Sequence, residues 1–300
     1  MTKAPFFSII VAVIRAKYLR AALTSVQEQD FSDWELIIIN DASKEPIDEI
    51  VNEVLGDPRV HYMKNDVNQG AMCPARVWNQ GLAIARGQFT LVLGDDDYYG
   101  QGFFSSLYDL AQKYPDVAHL RARLCTIDGG DNIRFYGSRL AEWEPWWDIL
   151  YSRVYLRHAL SILEHAFLTS KLREGGCFWE LHKAWGTDDA TVTKLSLVGG
   201  CASTNDAWVF SRDDGKNIST QPITPEMSLA IKELSSWQEK LVLENADSIQ
   251  NFSQEVLLRA VREKEAEAHK QYILLEKQKT LRYKIKSQLK NLLSSLYRWV

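Results

Sequence analysis

Several absences narrow this sequence before anything in it is read for function. Its four cysteines, Cys73, Cys125, Cys177 and Cys201, stand far apart, with no C-x-x-C pair and no histidine at zinc-ligand spacing. That excludes a disulfide scaffold and a zinc ribbon, and it predicts free thiols in a reducing cytoplasm. No apolar run approaches the ~20 residues of a membrane-spanning helix, and Phe6–Ile14, closed at once by Arg15 and Lys17, does not read as a secretory leader. The segment VAVIRAKYL holds no glycine, so neither the G-x-G-x-x-G of a dehydrogenase nor the Gly-rich loop of a sugar-nucleotide pyrophosphorylase follows the first apolar run. After Pro225 there is neither glycine nor proline, which predicts a long helical region by default.

What is present is a chain of 300 residues with ample apolar content, enough for one large domain or one domain with an appendage. Its net charge of −4 hides an asymmetry. Residues 270–300 hold eight of the 35 basic residues and only one, Glu276, of the 39 acidic ones, so 27 basic and 38 acidic residues are left in 1–269. The body is therefore −11 and the tail +7. An acidic body does not suit nucleic acid, whereas the basic tail marks a partner. Leu281, Ile285, Leu289, Leu292 and Leu296 recur at spacings of three and four, which predicts an amphipathic basic helix. Such a helix suits an anionic membrane surface at the inner face of a membrane, or helix packing that includes self-association.

The first part alternates strand and helix patterns. Phe6–Val13, Glu35–Asn40, Val60–Met63 and Phe89–Leu93 are continuous apolar runs; Tyr18–Gln29, Ile47–Leu55 and Pro74–Ala85 between them have helical spacing. Unbroken apolar strands separated by amphipathic helices predict an α/β fold with a mostly parallel central sheet covered on both faces. From about Asp116 to Arg212 the pattern is less regular and rich in rings: Trp143, Trp146, Trp147, Tyr151, Tyr155, Trp179 and Trp185. Most of these are expected in the core, with one or two free to stack on sugar rings.

In a parallel sheet, ligands bind beyond the carboxyl ends of the strands. Two such ends stand out: Asn40-Asp41-Ala42-Ser43, and LGDDDYYG at Leu93–Gly100. Three adjacent carboxylates repel one another, by about 1 kcal/mol per pair at 4 Å even in water, and call for a cation. The alternative is a solvated turn or a helix cap. A further pair, Asp188-Asp189 in WGTDDATV, reads either as the acidic first turn of a helix or as a base.

FSIIVAVIRAKYLRAALTSVQEQDFSDWELIIINDAS, followed by NQGAMCPARVWNQGLAIARGQFTLVLGDDDYYG, resembles the family 2 glycosyltransferases of GT-A type over about residues 5–115. The resemblance implies a catalytic domain at 1–222 and a helical extension at 223–300. It implies an inverting transferase that moves sugar from a nucleotide-diphosphate donor, most often a UDP-sugar, to a hydroxyl of a glycan or lipid-linked acceptor in bacterial surface polysaccharide synthesis. It also implies Mn²⁺ or Mg²⁺ as cofactor, whose charge would support the departing diphosphate. In the family pattern Asp41 meets the nucleobase, with main-chain groups near Ala12 and Val13 facing the same pocket. Arg76 lies near the nucleotide, Asp96 faces ribose, and Asp97 ligates the metal with Asp95 completing the D-x-D. Arg212 covers the diphosphate. One of Asp188 and Asp189 is the general base, with Asp189 the first choice. The reading from outside enzymology is an inactive transferase-like scaffold that docks through its helical tail.

Overall fold

A computed structural model describes residues 4–156, 161–215, 217 and 223–296, apart from the side chains of 156, 276 and 279–296. Four apolar strands, β1 (Phe7–Val13), β2 (Trp34–Asn40), β3 (Val60–Lys64) and β4 (Phe89–Gly94), pair in parallel in the order β3-β2-β1-β4. The helices α1 (Leu19–Gln27), α2 (Ile47–Asn52) and α3 (Pro74–Ile84) connect them. Every residue of β2 is buried, and so is all of β1 except Ala12. Each fully buried Ile, Leu or Val there stabilises the fold by about 1.5–3 kcal/mol. At Gly81 a Cβ would stand 2.6 Å from Ile10, so the missing side chain lets α3 lie directly on β1.

The second half completes the sheet less regularly. Antiparallel β9 (His165–Leu168) joins β4 to β6 (His119–Asp128); β10 (Cys201–Asp213) runs parallel to β6, and short β5 (Tyr98–Tyr99) closes that edge. β7 (Ile133–Tyr136) and β8 (Trp143–Glu144) pair with β6 and β10 outside this order. The expected α/β fold with a mostly parallel sheet is therefore present, with one antiparallel strand inserted at its middle. α4 (Phe103–Lys113), α6 (Thr169–Glu174) and α7 (Thr187–Ser196) flank it.

Two long helices follow, α8 (Pro225–Glu244) and α9 (Gln254–Leu296). Leu241, Val242, Leu257, Ala260 and Val261 pack them against α5 (Trp146–Tyr151) and the π-helical turn Ser152–Leu156 that continues it. The expected core role holds for Trp146, which is buried there, while Trp143 and Tyr155 are exposed. The stripe Leu281–Leu296 lies on helical backbone, but its side chains, like residues 297–300, fall outside the described residues. Among the described residues no helix is long and apolar enough to cross a membrane.

The register sets where chemistry can happen. Val13 stands beside Asn40 and Ala12 beside Gly94, so β1, β2 and β4 end level with one another. Ala166 pairs with Leu91, so the antiparallel β9 begins, at His165, next to that same edge.

Candidate active site

The aspartate run leaves β4 at this edge and is buried: Asp95, Asp96 and Asp97 are all under a tenth exposed. Its cation is Arg15, which follows β1. Asp95 Oδ2 accepts from the main-chain N–H of Ile14 (2.8 Å) and Arg15 (2.7 Å), while its Oδ1 takes Nε (3.2 Å) and Nη2 (3.1 Å) of the guanidinium. Arg15 Nη2 also lies 2.7 Å from Asp96 Oδ2, but not in line for a hydrogen bond, so that buried oxygen has no aligned donor. Burial pushes the Asp96 carboxyl up to about 6, with Arg15 opposing and Asp95 adding to the shift. Asp97 too is raised well above the usual carboxylate range, through burial and the adjacent Asp96, although Arg212 N donates to its Oδ1 at 2.8 Å. Gly94 makes room for this: a Cβ there would sit 2.2 Å from Asp97 Oδ2.

These contacts change two expectations. Asp95 cannot complete a metal pair, because both its oxygens are consumed in fastening the turn after β1. Arg212, expected over the diphosphate, is turned into the protein. Its Nε donates to Asp96 O (2.9 Å), Nη1 to Asp128 O (2.9 Å) and Nη2 to Asp131 Oδ1 (2.6 Å), and its guanidinium lies 4.0 Å from the Tyr18 ring centre. As for the metal, no group of three His, Cys, Asp or Glu side chains forms a cage among the described residues. Mg²⁺ and Mn²⁺ need only one or two carboxylates where phosphates and water supply the other oxygens. Asp97 and Asp96, with its buried oxygen lacking an aligned donor, fit that requirement.

Asp41 ends β2 at the same edge. Its N–H donates to Val13 O (2.9 Å), and its carboxylate accepts from Asn65 Nδ2 (2.7 Å), Gln69 N (2.9 Å) and Gly70 N (2.7 Å). It therefore shapes the loop between β3 and α3. Ala42 next to it has φ 55, a left-handed conformation that costs a non-glycine residue about 1–2 kcal/mol. Arg76, on α3, reaches Glu180 (3.2 Å) and is half exposed; Asn79 exchanges hydrogen bonds with Phe178. Together they stitch α3 to the segment that precedes α7.

Asp188 and Asp189 occupy the first turn of α7, where the helix dipole favours anions. A buried arginine from the π-helical turn forks between them: Arg153 Nη2 to Asp188 Oδ2 and Nε to Asp189 Oδ1, both 2.7 Å. Lys264, from α9, donates to the other oxygen of Asp189 at 2.9 Å. With two cations against its burial, Asp189 is lowered to about 2. Asp188 goes the other way, to about 6, through burial and the neighbouring Asp189. The first choice of base is thus the more encumbered carboxylate, with both oxygens occupied. Asp188 keeps Oδ1 outside the fork and is the more exposed of the two.

Sequence reading missed Arg15, Arg153 and Lys264. Arg15 was noted only as the end of an apolar run. Arg153 carried a signal, the one basic residue within the largely apolar stretch from Trp146 to Leu156. So did Lys264, which interrupts the stripe Leu257, Ala260, Val261, Ala268 that packs on the body.

The pattern of glycosyl transferase family 2 matches residues 8–171 of this chain. WcaA of Escherichia coli (strain K12), named for colanic acid biosynthesis, is 39% identical over 100 residues, 33% of this chain and 34% of that protein. A GalNAc(5)-diNAcBac-PP-undecaprenol beta-1,3-glucosyltransferase of Campylobacter jejuni is 35% identical over 132 residues, 43% of this chain and 41% of that protein. The matched region thus spans well under half the length of either relative. Among solved structures, S. aureus TarS 1–349 in complex with UDP-GlcNAc superposes with a TM-score of 0.65 at 16% identity, covering 86% of this chain and 71% of that one, which is a likeness of fold. With more than half its length inside the family pattern, and the strands and the aspartate run that form the edge just described lying there, this chain belongs to glycosyl transferase family 2.

Proposed function

We propose that this chain is an inverting glycosyltransferase, moving a sugar from a nucleotide-diphosphate donor, with a UDP-sugar first among candidates, to a hydroxyl of a glycan or lipid-linked acceptor in bacterial surface polysaccharide synthesis. One observation carries the proposal: two carboxylate groups, the buried Asp95–Asp97 and the half-buried Asp188–Asp189, are tied to the same edge of the sheet, the second through Arg153 and His165. The names of the bacterial relatives and the UDP-GlcNAc complex support the choice of donor and acceptor class.

Asp41 and the main chain at Ala12 and Val13 bind the nucleoside, and Arg76 stands at the rim of that pocket. Asp97 and Asp96 would hold Mg²⁺ or Mn²⁺, which supplies charge stabilisation to the departing diphosphate when bound. Asp188 takes the acceptor proton on Oδ1 while the acceptor oxygen bonds to the anomeric carbon and the bond to the diphosphate breaks on the opposite face. A base near neutrality is suited to this, and such catalysis contributes about 10²–10⁴-fold. Asp189, held ionised by Arg153 and Lys264, keeps the guanidinium aimed at Asp188. Residues 223–300 extend the catalytic core of 1–222, and the basic stretch 270–300 is assigned to an anionic membrane surface; unchanged liposome binding after its removal would sink that assignment in favour of self-association.

A panel of nucleotide sugars with Mn²⁺ tests the reading. Asp188→Asn is expected to bind donor with wild-type affinity and to lose transfer by at least 10²-fold, whereas Asp189→Asn should retain part of its rate. Full activity in Asp188→Asn would overturn the base, and absence of binding to any nucleoside diphosphate would favour the scaffold.

A further inference from the structure

Behind the acid pair lies a buried chain of polar groups that the proposed mechanism does not use. Arg153 Nη1 is 3.4 Å from His165 Nε2; His165 Nδ1 is 2.7 Å from His119 Nε2; His119 Nδ1 is 2.9 Å from Ser196 Oγ; and Ser196 Oγ is 2.7 Å from Val192 O. His119 and His165 are wholly buried, and Ser196 nearly so.

The direction of every hydrogen bond in this chain is fixed by its two ends. An arginine has only donors and a main-chain carbonyl only accepts. His165 Nε2 must therefore accept, which puts its proton on Nδ1. That proton goes to His119 Nε2, so His119 also carries its proton on Nδ1 and gives it to Ser196, whose hydroxyl turns to Val192 O. Two further groups reach the rings among the described residues: Glu164 Oε1, 3.4 Å from His165 Nε2 but out of hydrogen-bond alignment and already accepting from Ser161 N, and Cys201 Sγ, 3.7 Å from His119 Nε2, whose S–H can only add a weak donor to a nitrogen that already accepts. Both rings are neutral, because burial and the neighbouring cations Arg153 and Arg121 hold them well below the usual histidine range. The chain also closes on itself: Val192 and Ser196 belong to α7, whose first turn carries Asp188 and Asp189.

We infer that His165 and His119 are positioning residues for the reaction: as a one-way hydrogen-bonded chain anchored in α7, they hold the Arg153 guanidinium in the orientation that forks Asp188 and Asp189. The inference rests on the reading of Asp188 as base. If His165 loses its acceptor, the guanidinium keeps its bonds to Asp188 and Asp189 but loses the contact that fixes its third side, and its hold on Asp188 loosens. Among the described residues, the other charged groups that face Asp188 are Asp189 and Lys264, so its affinity for a proton rises.

The test compares His165→Leu, which removes the acceptor, with His165→Gln, whose side-chain oxygen can replace Nε2. Expected for His165→Leu are a fall in kcat on the order of 10-fold to 10²-fold, an unchanged donor KM, and an acid limb of the pH–rate profile displaced to higher pH; His165→Gln should restore the wild-type profile. In wild-type protein, ¹⁵N NMR should show both rings neutral and protonated on Nδ1, a measurement that stands even if His165→Leu fails to fold. A proton on His165 Nε2, or an unmoved acid limb in a folded His165→Leu, overturns the inference. Retained transfer in Asp188→Asn would instead refute the underlying assignment of the base, so the two failures are distinguishable.

Discussion

Replacing Arg212 by alanine separates two roles the residue could have. The side chain donates three hydrogen bonds, two of them to buried main-chain carbonyls, and covers the Tyr18 ring. Asp131, its third acceptor, is largely exposed and contributes little. Asp128 O keeps a second donor, Asp131 N at 3.1 Å, so the truncation strands Asp96 O. That costs about 1–3 kcal/mol and the lost stacking about 1 kcal/mol, so the variant should be destabilised by roughly 2–4 kcal/mol. For a chain of this size that is a fall of about 4–8 °C in melting temperature, readable by calorimetry or circular dichroism. The main-chain N–H of residue 212 still reaches Asp97, so donor affinity measured below the transition should change less than about threefold, under 1 kcal/mol. A variant as stable as wild type that has lost donor binding by two orders of magnitude would refute the clamp and restore Arg212 to the diphosphate.

Other outcomes follow from the same contacts. Asp189→Asn should lower stability at pH 7, because the carboxyl is held at about 2 in the folded protein against about 3.9 unfolded. A depressed acid contributes stability above its unfolded pKa and loses it as pH falls through the folded value, so the gap to wild type should close below about pH 4; a gap constant down to pH 2 would contradict the two-cation geometry. Gly94→Ala should displace Asp97 and weaken Mn²⁺-dependent binding of UDP by at least tenfold, about 1.4 kcal/mol, and calorimetry showing wild-type affinity would mean that Asp97 does not hold the metal. Lys264→Met should raise the proton affinity of Asp189 and reduce kcat without altering donor KM, while a rise in kcat would identify Lys264 as a restraint on the site.

The first half of the fold was legible because β1, β2 and β4 are continuous apolar runs, and a strand buried on both faces has no other pattern to show. The carboxyl-end rule then pointed to Asp41 and the aspartate run. The site's cations were not legible, since each meets its carboxylates across a long stretch of chain: Arg15 and Asp95 are 80 residues apart, and Lys264 and Asp189 are 75. Arg212 misled because position after a strand says where a side chain starts and not which way it turns. Asp189 misled for a related reason. Two adjacent aspartates look alike in sequence, and only the fork of Arg153 and the arrival of Lys264 make one a fixed anion and leave the other to titrate.

Lys264 also bears on how this chain can be cut and recombined. It lies far beyond the family match, on a helix 43 residues long that spans about 64 Å at 1.5 Å per residue. A minimal catalytic fragment ended at 222, or a chimera given another protein's tail there, would keep every residue of the family pattern and still deprive Asp189 of one of its two counter-charges. The contacts of the acid pair therefore reach into α9 as far as position 264, beyond the boundary at 222 expected from the sequence, and anything that pulls on that rod bears on the acid pair as well.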